Sequence, residues 1–276
     1  MKAYTSKDPI RLLLADVDGT LVTQEKVLTA EAQRATGSLA KAGILFAITS
    51  GRPPRGMQAL VGDLRITTVV AGFNGGVYTT PKLDPIVMRD IPPDATGRTI
   101  EIIREGGLVP WLYTDTTWYV PDPEGPHVDR ESRTVGFGPE ILADYSNYLD
   151  KAAKIVGVGD DVDAVAACES KVREELGAHV SAARSQPYYL DVTHPAANKG
   201  GVVEFLSAVY LIPNASIATI GDMPNDVLMF NKSGMSIAMG NASKEVQEKA
   251  NFVTRSNEEN GLAFAVEKFV LGSPNV

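Results

Sequence analysis

The chain is nearly without cysteine: Cys168 is the only one among 276 residues. An intrachain disulfide, a CxxC redox pair and a thiolate zinc site are therefore excluded. The run Asp163-Ala-Val-Ala-Ala-Cys168 reads as the inward side of a helix, where a free thiol packs as a small apolar group. Positive charge is also short. Lys and Arg total 26 against 34 Asp and Glu, a formal net charge of −8. A general nucleic-acid binder carries a basic footprint, so that class is set aside. An anionic ligand then needs locally placed positive charge, from a lysine or a metal ion, to offset the overall field. No apolar run approaches the roughly 20 residues of a membrane span, and the residues from Met1 to Pro9 have no apolar core of a signal peptide. The expectation is a soluble, cytoplasmic protein without a membrane partner. Internal repeats and low-complexity tracts are lacking as well. The apolar share of 44% is that of a globular chain with a real core, and the length allows one large domain or two modest ones.

What is present is an alternation of short apolar strands and helices. Ile10–Ala15 is an apolar run closed by Asp16, the pattern of a strand buried on both faces. Thr29–Ala42 reads as a helix, with Thr29 as N-cap and Gly43 just past its end. Ile44–Thr49 and Thr68–Ala71 are further buried strands. The same style returns late in the chain, with a helix over Lys199–Tyr210, a strand over Ser216–Ile220, a helix over Asp222–Asn231 with Pro224 in its first turn, and a strand over Met235–Met239. The middle differs. It has Pro/Gly-rich joints, aromatic strands at Trp111-Leu-Tyr113 and Trp118-Tyr-Val120, and helices near Pro92–Glu105 and Asp161–Leu176. The prediction is an α/β fold: a Rossmann-like, doubly wound, mostly parallel sheet built from residues 1–81 and 194–276, with an α+β domain of residues 82–193 inserted into it.

Four short segments stand at strand ends or helix starts of the predicted core, where open α/β sheets bind ligands. Asp16-Val-Asp18-Gly19-Thr20 follows the first strand; two carboxylates two residues apart can converge on one metal and one reacting group. Ser50-Gly51-Arg52 offers a hydroxyl and a backbone N–H to an anion. Asn198-Lys199-Gly200 starts a helix with a cation. Gly221-Asp222-Met223-Pro224-Asn225-Asp226 packs two acids and an Asn into one turn, the ingredients of a hard-cation site. Singly, each has a plainer reading, as a polar turn, a common Ser-Gly bend or a solvated lysine.

Taken together, their order and spacing resemble the haloacid dehalogenase superfamily, and in particular its Cof-type phosphatases. Phe73-Asn74-Gly75-Gly76 resembles an Asn-Gly segment of the same group, and Ser50 stands where a Thr is frequent. The resemblance implies that Asp16 is a nucleophile that becomes an aspartyl-phosphate and that Asp18 is the general acid and base. It implies that Ser50, Gly51 and Lys199 hold the phosphoryl group, with Asn225 near it. Mg²⁺ would lie on Asp16, the Asp18 carbonyl and Asp222, with Asp226 a ligand or its support. Asp18 must carry a proton in the first step, and the nearby leaving group and carboxylates are expected to help raise its pKa. The second aspartate favours phosphorus over carbon chemistry.

The insertion lies between Ser50 and Lys199, the arrangement of a large α/β cap that closes over the site. The partner expected is a small phosphorylated metabolite, of sugar or polyol type by analogy. A phosphomutase using the same core, and a non-catalytic phosphoester-binding regulator, are the alternatives. Within the cap, Trp111, Tyr113 and Trp118 read first as sheet-face residues. His127, Arg130 and Arg133 read as a solvated helix face, and His194 as a structural group. Arg52 reads as an anchor of its own loop.

Overall fold

The structure is a computed structural model and describes residues 8–272; the start, expected to be leaderless, lies through Lys7 outside them. Strand β1 (Leu12–Asp16) is buried at every position. Helix α1 (Ala30–Lys41) comes next, capped by the Thr29 hydroxyl, which accepts from the Ala32 N–H, and it turns Ala32, Ala35, Thr36 and Leu39 inward at helical spacing. Gly43, at φ +71°, lets the chain leave the helix through the left-handed region. Then come β2 (Leu45–Thr49), α2 (Gln58–Asp63), β3 (Val70–Gly72), β4 (Val77–Thr79) and β5 (Pro85–Met88).

The middle of the chain supplies α3 (Pro93–Glu105), β6 (Val109–Tyr113), β7 (Trp118–Val120), α4 (Val128–Val135), β8 (Glu140–Ile141), β9 (Lys154–Val158), α5 (Val162–Leu176), β10 (Ser181–Gln186) and β11 (Tyr189–Thr193). The last part supplies α6 (Lys199–Tyr210), β12 (Ile217–Gly221), α7 (Val227–Phe230), β13 (Met235–Ala238) and β14 (Phe252–Val253).

Two sheets result. The first has eight strands in the order β14-β13-β12-β1-β2-β3-β4-β5, parallel from β14 to β3 and closed by the antiparallel pair β4 and β5. The predicted α/β core is thus present, with β1 in the interior of the sheet. Leu12, Leu13 and Leu14 are wholly buried, and at about 1.5–3 kcal/mol for each such side chain they make β1 a rigid base for the polar loop that begins at Asp16. The division expected at 81/82 falls between β4 and β5; because these strands pair, the chain leaves the first sheet only after Met88. Arg89 fastens the crossing, donating to the carbonyls of Gly75 and Ala196, so the outgoing and returning segments are tied together.

The second sheet has six strands in the order β10-β11-β9-β6-β7-β8. One face is covered by α3 and α5, through Ile100, Ile103, Val165 and Val172. Cys168 is buried there, its thiol 3.8 Å from the Ile102 carbonyl, as the packing role requires. The opposite face turns Trp111, Tyr113, Val156 and Tyr189 toward α4, toward Phe73 in the turn after β3 and toward Val77 of β4. Trp111, Tyr113 and Trp118 are at most 2% exposed, so they are sheet-face residues as read. His127 is not on a helix face. It precedes α4 at φ +63°, stacks on Tyr188 and lies 2.8 Å from Asp160, while Arg130 and Arg133 are exposed. Among the described residues no helix is long and apolar enough to cross a membrane.

Candidate active site

The loops leaving β1, β2 and β12 meet the start of α6. Lys199 Nζ is 2.5 Å from Asp16 Oδ1 and 2.6 Å from Asp226 Oδ1, and all three side chains are almost fully buried. Asn198 caps α6 by accepting from the Gly201 N–H, which fixes the turn from which Lys199 projects. Asp226 Oδ2 accepts from the N–H groups of Asp222 and Met223. That inward carboxylate caps the helix expected here. Its first turn, over Pro224–Asp226 with Pro224 at the start, is a tight 3-10 turn that runs directly into α7, and the side chain holds N–H groups for which no helical carbonyl is available. Gly221 must be glycine here, since a Cβ would come within 2.4 Å of the Asp226 carboxyl carbon.

Asp222 is oriented from two sides. Thr20 donates its hydroxyl to Oδ1 at 3.0 Å, and Asn241 donates from Nδ2 to Oδ2 at 3.3 Å and to the Gly19 carbonyl at 2.9 Å. Thr20 lies inside the first strand-end motif, but nothing local in the sequence marks Asn241, which reaches the site only across the sheet.

Asp16, Asp222 and Asp226 each bring a carboxylate oxygen to within 4.8 Å of the others. Burial pushes the Asp16 carboxyl well above the usual range; Lys199 opposes this, and Asp226 and Asp222 add to it. Burial and then Asp226 push Asp222 up to about 6. Burial alone would lower Lys199, but its two carboxylate partners outweigh that and keep it an ammonium. Three buried carboxylates against one ammonium leave surplus negative charge, and an all-oxygen donor set of this kind fits a hard divalent cation.

A consequence can be measured. Carboxyls whose folded pKa is raised bind protons more tightly folded than unfolded, so the metal-free protein gains stability as pH falls through about 6 toward the ordinary carboxylate range and loses it as pH rises. A divalent cation competes with those protons. The rise in Tm on replacing EDTA with Mg²⁺ is expected to be larger at about pH 8 than at about pH 5.5. Equal rises at both pH values in thermal scans would show that these carboxylates do not take up the ion.

Asp18 is held elsewhere. Arg52 grips both its oxygens, Nε at 2.8 Å and Nη2 at 2.6 Å, and Lys26 Nζ lies 2.7 Å from Oδ1. The raised pKa expected for Asp18 is not found. Burial works upward, but the two pairings overcome it and bring the carboxyl down to about 2. Arg52 does anchor its loop, through the Gly56 carbonyl at 3.4 Å, and it also claims Asp18. Ser50 donates its hydroxyl toward Asp18 Oδ2 at 3.4 Å and accepts from the Arg52 N–H. Gly51 lies against Asn74, whose N–H donates to the Ser50 carbonyl at 2.7 Å. Asn225 is exposed and reaches Asn74 Oδ1 from Nδ2 at 3.5 Å. His194 stays structural, its Nδ1 accepting from the Ala196 N–H at 3.0 Å.

Known proteins resemble this chain over nearly its whole length. A family model described as haloacid dehalogenase-like hydrolase matches residues 13–266. A 5-amino-6-(5-phospho-D-ribitylamino)uracil phosphatase of Bacillus subtilis (strain 168) is 28% identical, with 95% of this chain and 99% of that protein covered. A phosphoglycolate phosphatase of Methanothermobacter thermautotrophicus is 22% identical, with 95% and 99% covered. The crystal structure of a haloacid dehalogenase-like hydrolase from Bacteroides thetaiotaomicron superposes with a TM-score of 0.87 at 25% identity, covering 94% of this chain and 99% of that one. The strand-end acids, the buried lysine and the inserted second sheet thus come together with a family match spanning both sheets, and the chain belongs to the haloacid dehalogenase-like hydrolases.

Proposed function

We propose that this haloacid dehalogenase-like phosphatase hydrolyses a small phosphate monoester through an aspartyl-phosphate on Asp16, with Mg²⁺ as its cofactor. The observation that carries the reading is the buried group of Asp16, Asp222 and Asp226 around Lys199. Asp16 and Asp222, with the Asp18 carbonyl, would hold the ion. Asp226 already spends one oxygen on Lys199 and the other on two backbone N–H groups, so its part is to brace the turn and the lysine. When bound, the ion offsets the repulsion between a phosphate dianion and the attacking carboxylate.

The chain's own groups carry the steps. A carboxylate oxygen of Asp16 forms a bond to phosphorus as the ester P–O bond breaks, and Asp18 gives its proton to the departing oxygen. Water then attacks phosphorus, its proton passes to Asp18, and the acyl-phosphate P–O bond breaks to release inorganic phosphate and restore Asp16. Lys199, the Ser50 hydroxyl and the Gly51 N–H hold the phosphoryl oxygens, with Asn225 beside them. Because Asp18 is a carboxylate while Arg52 and Lys26 grip it, it takes up its proton only when the arriving ester displaces those pairs.

The substrate proposed is a soluble sugar or polyol phosphate in the cytoplasm. The Bacillus subtilis relative named for a ribityl phosphate supports it. Phosphate release should be followed with p-nitrophenyl phosphate and a panel of sugar and polyol phosphates, in Mg²⁺ and in EDTA. Release is expected with Mg²⁺, to fall by about 100-fold or more in EDTA, and to return on adding the ion back. Undiminished release in EDTA would remove the metal from the reading. Isomerisation of a sugar phosphate without phosphate release would make the protein a mutase.

A further inference from the structure

The unit built on the second sheet touches the catalytic end of the first sheet at a short turn, Pro54–Met57, which follows Arg52. One side of this turn is fixed by the core. Met57 is wholly buried, and Pro54 packs so closely on β3 that a Cβ on Gly72 would come within 2.5 Å of its Cδ. The other side meets the end of α4. Gly56 lies against Val135, where a Cβ would stand 3.1 Å from the Val135 carbonyl oxygen. Beside it the Arg55 guanidinium lies 4.4 Å from the centre of the Phe137 ring. Arg55 is exposed and Phe137 half-buried, so this cation–aromatic contact sits at the rim, outside the core of either unit.

The same turn holds Arg52. The Gly56 carbonyl accepts from Arg52 Nη1 at 3.4 Å, while Nε and Nη2 of that side chain grip the two oxygens of Asp18. The Arg52 backbone is tied to the core, its carbonyl accepting from the Phe73 N–H at 2.9 Å. What remains adjustable is the guanidinium. It is planar and rigid, so a shift of the Gly56 carbonyl re-aims the two N–H groups that face Asp18. A path of direct contacts thus runs from Phe137 and Val135 through Arg55 and Gly56 to Arg52 and Asp18. It bypasses Asp16, Asp222, Asp226 and Lys199, the group around the attacked phosphorus.

We propose that Arg55 and Phe137 are positioning residues: seated on Pro54–Met57 through their contact, the second-sheet unit sets where Arg52 stands and so where Asp18 meets the leaving oxygen. The inference rests on the proposed role of Asp18 and adds the path by which the second-sheet unit reaches it. The full-length protein with Mg²⁺ is assayed on phenyl phosphate and on p-nitrophenyl phosphate. The two esters are close in shape, but the nitro group makes the departing oxygen far less basic, so phenyl phosphate depends more on a proton donor. Phe137→Ala and Arg55→Ala are each expected to lower kcat on phenyl phosphate by about 10-fold, with kcat on p-nitrophenyl phosphate within about twofold and KM little changed. Phe137→Tyr keeps the ring and is expected to keep the wild-type ratio of the two esters. Asp18→Asn lowers that ratio further, and adding Phe137→Ala to it changes the ratio no more, because both act through one carboxyl. If the alanine variants lower both esters alike, together with Tm, the contact is structural only and the inference fails. It fails alone, with Asp18 still the acid, if they leave the ratio at its wild-type value while Asp18→Asn moves it. If Asp18→Asn does not move the ratio, or if the wild type releases phosphate from neither ester, the reading of Asp18 falls and the positioning inference with it.

Discussion

Asp16→Asn is expected to reduce phosphate release by about 10⁴-fold or more while leaving the metal-free fold as stable as the wild type, or more so. The loss follows from chemistry, because an amide is a poor nucleophile toward phosphorus and no neighbouring group substitutes for it. The stability follows from charge. Asp16 is 4% exposed, shares one ammonium with Asp226 and lies beside the Asp222 carboxylate. Removing one of three carboxylates brings the group closer to neutrality, at a site where function and not stability set the charge. The Tm rise on adding Mg²⁺ should shrink in the same variant, since a donor is gone. Kinetics on p-nitrophenyl phosphate and paired thermal scans check both halves. Activity that persists in Asp16→Asn, with contaminating phosphatase excluded, removes the nucleophile assignment.

Lys199→Met is expected to damage both activity and folding. The side chain is 2% exposed and is the cation shared by Asp16 and Asp226. Deleting one member of a buried ionic group strands the rest, at a cost of about 3–5 kcal/mol, or a Tm drop of roughly 10 °C in a chain of this size. Phosphate release should fall at least as far as positioning and charge at the phosphoryl oxygens account for, about 10²–10³-fold. Adding Asp226→Asn to Lys199→Met removes one of the stranded charges and is expected to return part of the stability but none of the activity. A double-mutant cycle on Tm measures this coupling directly. A coupling near zero would mean that the 2.6 Å Lys199–Asp226 contact carries no net energy.

These expectations also separate what can be read locally from what cannot. β1, β2 and β12 announce themselves as apolar runs that end in polar groups, because a strand buried on both faces has no other way to be written. α1 is legible from its cap at Thr29 and its exit at Gly43, both short-range backbone preferences. α6 begins at Lys199 because Asn198 caps it, which is equally local. β5 was less legible. Pro85–Met88 is short and half exposed, and only its pairing with β4 makes it part of the first sheet. The helix start at Pro224 is legible because proline suits a first turn; that the Asp226 carboxylate turns inward to cap it is not.

By itself the amino-acid sequence determined the strand ends, the cap of α6 and the identity of the acids and the lysine placed there, since hydrophobic period and capping act within a few residues. Only the tertiary structure decided who meets whom. Lys199 bridges Asp16 across 183 positions, Asp18 is taken by Arg52 and Lys26, Asn241 reaches Asp222, and Phe137 meets Arg55 beside the turn that holds Arg52. The physical reason is that a carboxylate's partner and its proton affinity depend on burial and on charges brought near by strand register and sheet order. Those are properties of the whole packed chain that no short window of sequence contains.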